Sequence, residues 1–78
     1  MARHYNYRYA LIRARKQRGW SQKEVSEMTF YSRITISRAE LGQIYLKDGT
    51  GASNQFFEAM ENLYGIPREI LRKRGYKE

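Results

Sequence analysis

The sequence predicts an all-α fold built from five short helices, and three observations carry that reading. Gly19, Gly42 and Gly65 each close a stretch that reads as helix, and each can supply the left-handed residue that ends one. Ser21-Gln22-Lys23-Glu24 is a capping box, in which serine hydroxyl and glutamate carboxylate each bond the other's backbone amide. No stretch alternates with the strand period of two, except His4 to Tyr9.

The elements follow in chain order. Residues 1–8 form a basic, tyrosine-rich arm. Tyr5, Tyr7 and Tyr9 can share one face of an extended segment, pack on the body, or enter a minor groove. The helices are expected at 9–18, 22–29, 33–41, 54–64 and 67–74, within a domain spanning 9–74 and followed by a tail at 75–78. Trp20 and Val25 occupy the staple positions around the second helix start. Ser32 is placed to cap the third helix, and Pro67 to open the fifth with its φ already helical. Leu11, Val25, Ile36, Met60, Leu63, Ile66 and Ile70 are the expected core, and Ser26 is small enough for a close helix crossing. Two short helices joined by a four-residue turn (Met28 to Tyr31) form a helix-turn-helix pattern.

Composition narrows the function. The 78 residues allow one domain, which buries roughly 60% of its unfolded surface and leaves little room for an internal active site. Cysteine is absent and His4 is the single histidine, so neither a thiolate nucleophile nor a His- or Cys-ligated metal is expected. Apolar runs are too short for a membrane span, and the N-terminus lacks a leader's apolar core. A cytoplasmic protein with no cofactor and no enzymatic role is expected.

Fifteen Lys and Arg against eight Asp and Glu give a net charge of +7. The charge is uneven. Residues 1–18 hold Arg3, Arg8, Arg13, Arg15, Lys16 and Arg18 with no acid, and a second basic cluster runs from Arg68 to Lys77. Both ends suit an anionic partner with closely spaced phosphates, against the plainer reading of two solvated ends.

The stretch Gly19-Trp20-Ser21-Gln22-Lys23-Glu24-Val25, followed without a gap by Ser32-Arg33-Ile34-Thr35-Ile36-Ser37-Arg38-Ala39-Glu40-Leu41-Gly42, resembles the XRE-type, lambda-repressor-like and Cro-like helix-turn-helix family. The resemblance covers roughly residues 9 to 72. It implies a lambda-repressor-like five-helix domain that binds double-stranded DNA, with the helix at 33–41 in the major groove. It further implies base reading by Arg33, Ile34, Ser37 and Arg38. Phosphate contacts are implied at Gln22, Lys23, Ser32, Thr35 and Lys47, and a structural ion pair between Arg15 and Glu40. General chemistry agrees: arginine offers guanine a bidentate fork, and isoleucine can pack on a thymine methyl. For Arg33 and Arg38 the plain alternative is a solvated helix face, for Gln22 a supplement to the cap, and for Ile34 a buried position.

Two departures from the family pattern stand out. Phe30 occupies the turn position that the family usually gives to glycine. Positive φ is unfavourable there, so a reshaped turn is expected. The loop after Gly42 is longer than usual by about six residues and carries Ile44, Tyr45 and Leu46 beside an Asp48-Gly49 turn signal.

One recognition helix cannot select a site in a genome, because each wrong base pair costs only about 1–3 kcal/mol. A homodimer, at least on DNA, is therefore expected, through the 43–53 loop, Ile70 and Leu71, or the tail with Tyr76. No small-molecule effector is expected. The leading expectation is a transcriptional regulator of prophage or mobile-element type. A second is a protein-interaction module, such as an antitoxin or accessory subunit, that uses Tyr45, Phe56 or Tyr64 as apolar surface. A third is an RNA or single-strand binder that stacks bases on Tyr5, Tyr7 and Tyr9.

Overall fold

The computed structural model describes residues 7–42 and 51–75. The described residues form five helices: α1 (Tyr9–Gln17), α2 (Gln22–Met28), α3 (Arg33–Glu40), α4 (Gly51–Tyr64) and α5 (Arg68–Arg72). Helix α2 packs on α3, α4 packs on α5, and α1 bridges to both α3 and α5. None of the five is long and apolar enough to cross a membrane.

Local chemistry sets the boundaries. Ser21 accepts from the Glu24 amide at 3.0 Å while the Glu24 carboxylate accepts from the Ser21 amide at 2.8 Å, so the capping box opens α2. Ser32 caps α3 by accepting from the Thr35 amide at 3.1 Å. Gly19, Gly42 and Gly65 all adopt positive φ near +75° just beyond a helix. A β-carbon at Gly19 or Gly65 would meet open space, so backbone conformation alone demands glycine there.

The core runs through all five helices. Leu11 and Ala14 enter from α1, Val25 from α2, Ile36 and Ala39 from α3. Phe56, Phe57, Met60 and Tyr64 enter from α4, and Leu71 from α5. Trp20, Leu63 and Ile66 are partly buried against this cluster.

Several expectations need correction. Ile70 is 47% exposed rather than core, because α5 turns Leu71 fully inward and successive helical residues point about 100° apart. Leu71 is for the same reason unavailable as a dimer surface. Phe56 and Tyr64 are buried, so neither offers apolar surface to a partner. Helix α4 begins three residues early, at Gly51, and α5 stops at Arg72, where Lys73 turns extended. Pro67 lies at the α5 cap with ψ of 139°, one position before the helix.

The largest difference concerns Arg8, the last residue of the expected arm, which is part of the folded core. Its side chain is buried in the core and its guanidinium lies 5.0 Å from the centre of the Phe57 ring. Nη1 donates to the Ala39 carbonyl at 2.8 Å and Nε to the Arg72 carbonyl at 3.0 Å, at the C-terminal ends of α3 and α5. Its amide donates to the Glu40 carbonyl at 2.8 Å. Tyr9 is helical, with its ring 5.8 Å from that of Tyr7. Tyr5 lies outside the described residues.

Candidate nucleic-acid interface

The α2–α3 turn positions everything beyond it, and it contains no left-handed residue. Thr29 ends α2 in an extended conformation, with φ of −128° and ψ of −177°. Its hydroxyl donates to the Val25 carbonyl at 2.9 Å and accepts from the Tyr31 amide at 3.3 Å. Tyr31 then anchors the exit by packing edge-on against Phe56, with ring centres 4.9 Å apart. A hydroxyl bridge and an aromatic anchor thus replace the glycine turn, and Phe30 is left fully exposed at the tip.

The two faces of α3 differ in chemistry. Ile36, Ala39 and Glu40 face inward. At 3.6 residues per turn, Ile34, Ser37, Arg38 and Leu41 form a stripe on the opposite side. Ile34 is 61% exposed and Leu41 37%, Arg38 is exposed and Ser37 half-buried. Arg33 is exposed at the first turn, and Thr35 is half-buried with its hydroxyl 3.0 Å from that of Ser32. Leu41 was not singled out from the sequence, although the 34-37-38-41 spacing contains the signal.

Glu40 organises the other end. Its buried carboxylate accepts from Arg15 Nε at 2.6 Å, Arg15 Nη2 at 3.0 Å and Gln22 Nε2 at 2.9 Å. Arg15 Nη1 donates in turn to the Trp20 carbonyl at 2.9 Å. The bond to Glu40 raises the Arg15 pKa against the opposing effect of burial. One carboxylate thereby ties α1, the first residue of α2 and the last residue of α3. Gln22 sits in this network, at the N-terminus of α2. Lys23 is exposed and lies 3.9 Å from Glu27, an ion pair of small energetic value. Lys47 lies outside the described residues.

The site brings Gln22, Ser32, Arg33 and Ile34 to two helix N-termini, where free amides and dipoles favour an anion. Ser37 and Arg38 continue the face one turn on. Among the described residues no three His, Asp or Glu side chains gather to hold a metal ion.

The profile of the helix-turn-helix family matches residues 11–71. No curated protein and no solved structure matches the chain. The profile spans most of the 78 residues and all of α2, the turn and α3. The chain therefore belongs to the XRE-type, lambda-repressor- and Cro-like helix-turn-helix family of DNA-binding regulators.

Proposed function

We propose that this protein is a sequence-specific regulator of transcription, a repressor of prophage or mobile-element type, that reads double-stranded DNA with α3. The observation that carries the reading is the two-faced α3. Its inner face and both ends are held by the core, the Ser32 cap and the Glu40 network, while Ile34, Ser37 and Arg38 project outward. A helix held this firmly offers base-reading side chains without having to order them on binding. Arg33 and Arg38 are the guanine readers, and Ile34 and Ser37 complete the contact. Gln22, Lys23, Ser32, Thr35 and Lys47 meet phosphates.

The protein acts as a dimer on an inverted repeat. Self-association through α5, on which Ile70 is exposed, belongs to this proposal. Selection of bound duplexes from a random pool at about 150 mM salt tests the reading, because that ionic strength suppresses attraction to phosphate alone. The expected product is an inverted repeat with half-sites about 34–36 Å apart. Recovery of no common sequence sinks it.

A protein-interaction role is the second reading, favoured by one observation. The bare Phe30 ring borders a groove of about 400 Å³ whose lining includes Met28, Ala59 and Leu63. Co-purification of a stoichiometric partner, lost in Phe30→Ser, is the result that reading requires.

A further inference from the structure

The C-terminal end of a helix carries partial negative charge and free carbonyls, so the far end of α3 ought to repel a DNA strand. In the structure, two arginines offset that polarity. Arg8 Nη1 donates to the Ala39 carbonyl at 2.8 Å, and Arg74 Nη1 donates to the Gly42 carbonyl at 3.3 Å. The acid of the last turn, Glu40, is matched by Arg15. The end of α3 is thereby covered by cations.

Beside it lies a concavity of about 430 Å³ lined by Glu69, Arg72, Lys73 and Arg74. Three cations against one acid give this surface a net charge of 3 − 1 = +2. Arg72 is fixed within it: Nη2 donates to Asn54 Oδ1 at 2.9 Å, and the guanidinium lies 5.3 Å from the centre of the Phe57 ring. Lys73 and Arg74 are exposed. The chain here is pinned to the segment that leads into α1, because the Gly75 amide donates to the Tyr7 carbonyl at 3.2 Å. The cations are therefore held next to α3 rather than carried on a loose tail.

We propose that this concavity is a second phosphodiester site, in which Lys73 and Arg74 take a DNA backbone phosphate at the C-terminal end of α3. The inference rests on the reading of α3 as the DNA-reading helix. An eight-residue helix is about 12 Å long, close to the width of the major groove of about 12 Å. With the N-terminal half of α3 on the bases, Gln22 and Ser32 meet one strand and Lys73 with Arg74 meet the other. Such contacts fix register and carry no sequence information.

The test compares wild type, Lys73→Ala, and the Lys73→Ala/Arg74→Ala double variant on the selected duplex over a range of salt concentrations, with thermal unfolding measured beside it. Each phosphate contact contributes about 0.9 to the slope of log K against log salt, so the double variant should lose about 1–2 from it. Lys73→Ala alone should lose about 1 and covers the case of a poorly folded double variant. Base preference should not change. Wild-type slopes in both variants overturn the site while leaving DNA reading by α3 intact. Absence of salt-sensitive duplex binding by the wild type overturns the function and this site together.

Discussion

Arg8 and Ala39 are joined by a 2.8 Å hydrogen bond from Nη1 to the carbonyl oxygen, across 31 residues and inside the core. The same guanidinium serves the Arg72 carbonyl and faces the Phe57 ring. One side chain thus closes the C-termini of α3 and α5 together. Arg8→Met keeps much of the volume but strips both carbonyls of their donor. A hydrogen bond to a charged group is worth about 1.5–3 kcal/mol, so the variant should lose at least about 3 kcal/mol in urea denaturation. A loss within 0.5 kcal/mol of zero, the range of ordinary surface changes, would show that Arg8 is not a structural bolt.

The Arg15–Glu40 pair makes a different prediction, because two charges are involved. Glu40→Ala leaves the Arg15 guanidinium half-buried without its carboxylate, which should cost about 3–5 kcal/mol. Replacing both residues by methionine removes the stranded charge. The double variant should therefore be more stable than Glu40→Ala alone, as measured by chemical denaturation. A loss in the double variant equal to the sum of the Arg15→Met and Glu40→Met losses would mean that the pair is not coupled.

Tyr64 predicts a pH dependence. Burial pushes its hydroxyl up to about 12 from an ordinary value of 10.0. The Glu40 charge adds to the rise, and Arg15 and Arg18 oppose it. Between pH 10 and 12 the unfolded chain releases this proton while the folded chain holds it. Stability therefore falls as pH rises through that window, by at most about 1.4 kcal/mol per pH unit. Tyr64→Phe should remove this component of the alkaline loss. The hydroxyl is buried and makes no hydrogen bond among the described residues. The same variant should accordingly equal or exceed wild-type stability at pH 7 by about 1 kcal/mol.

Phe30 predicts against the usual family residue. Its φ is negative, so glycine confers no conformational relief. Phe30→Gly should destabilise by about 0.5–1 kcal/mol, through added freedom of the unfolded chain. Phe30→Ser should stay within about 0.5 kcal/mol of wild type, since the ring is fully exposed. A gain in melting temperature for the glycine variant would contradict the turn geometry.

The elements legible in the sequence are those whose signals are local. The Ser21–Glu24 box, the Ser32 cap and the three closing glycines each depend on a few neighbouring residues, and the helix ends they mark fall where expected. Arg8 was not legible, because its partners Ala39 and Arg72 lie 31 and 64 positions away. A basic residue beside other basic residues reads as solvated until a core forms around it. Ile70 and Leu71 show the matching limit. Two adjacent apolar residues on a five-residue helix cannot be assigned to core or surface without knowing which way the helix faces. At the candidate site, α3's exposed stripe was readable from spacing. The cationic covering of its far end was not, because Arg74 reaches Gly42 across 32 positions.

Ile34 gives the most selective test of base reading, since a methyl group on the DNA can be removed without touching anything else. Its side chain is 61% exposed on the outer face of α3. Contact with a thymine methyl would bury it. Uracil placed at each thymine of the selected site deletes one methyl at a time. Burial of one methyl is worth about 0.8 kcal/mol, so a single position should weaken binding about fourfold. Ile34→Ala should weaken binding to the thymine duplex and abolish the difference between thymine and uracil at that position, while leaving it unchanged elsewhere. Equal sensitivity to uracil in wild type and variant at every position would remove Ile34 from the reading face and leave the discrimination to Arg33, Ser37 and Arg38.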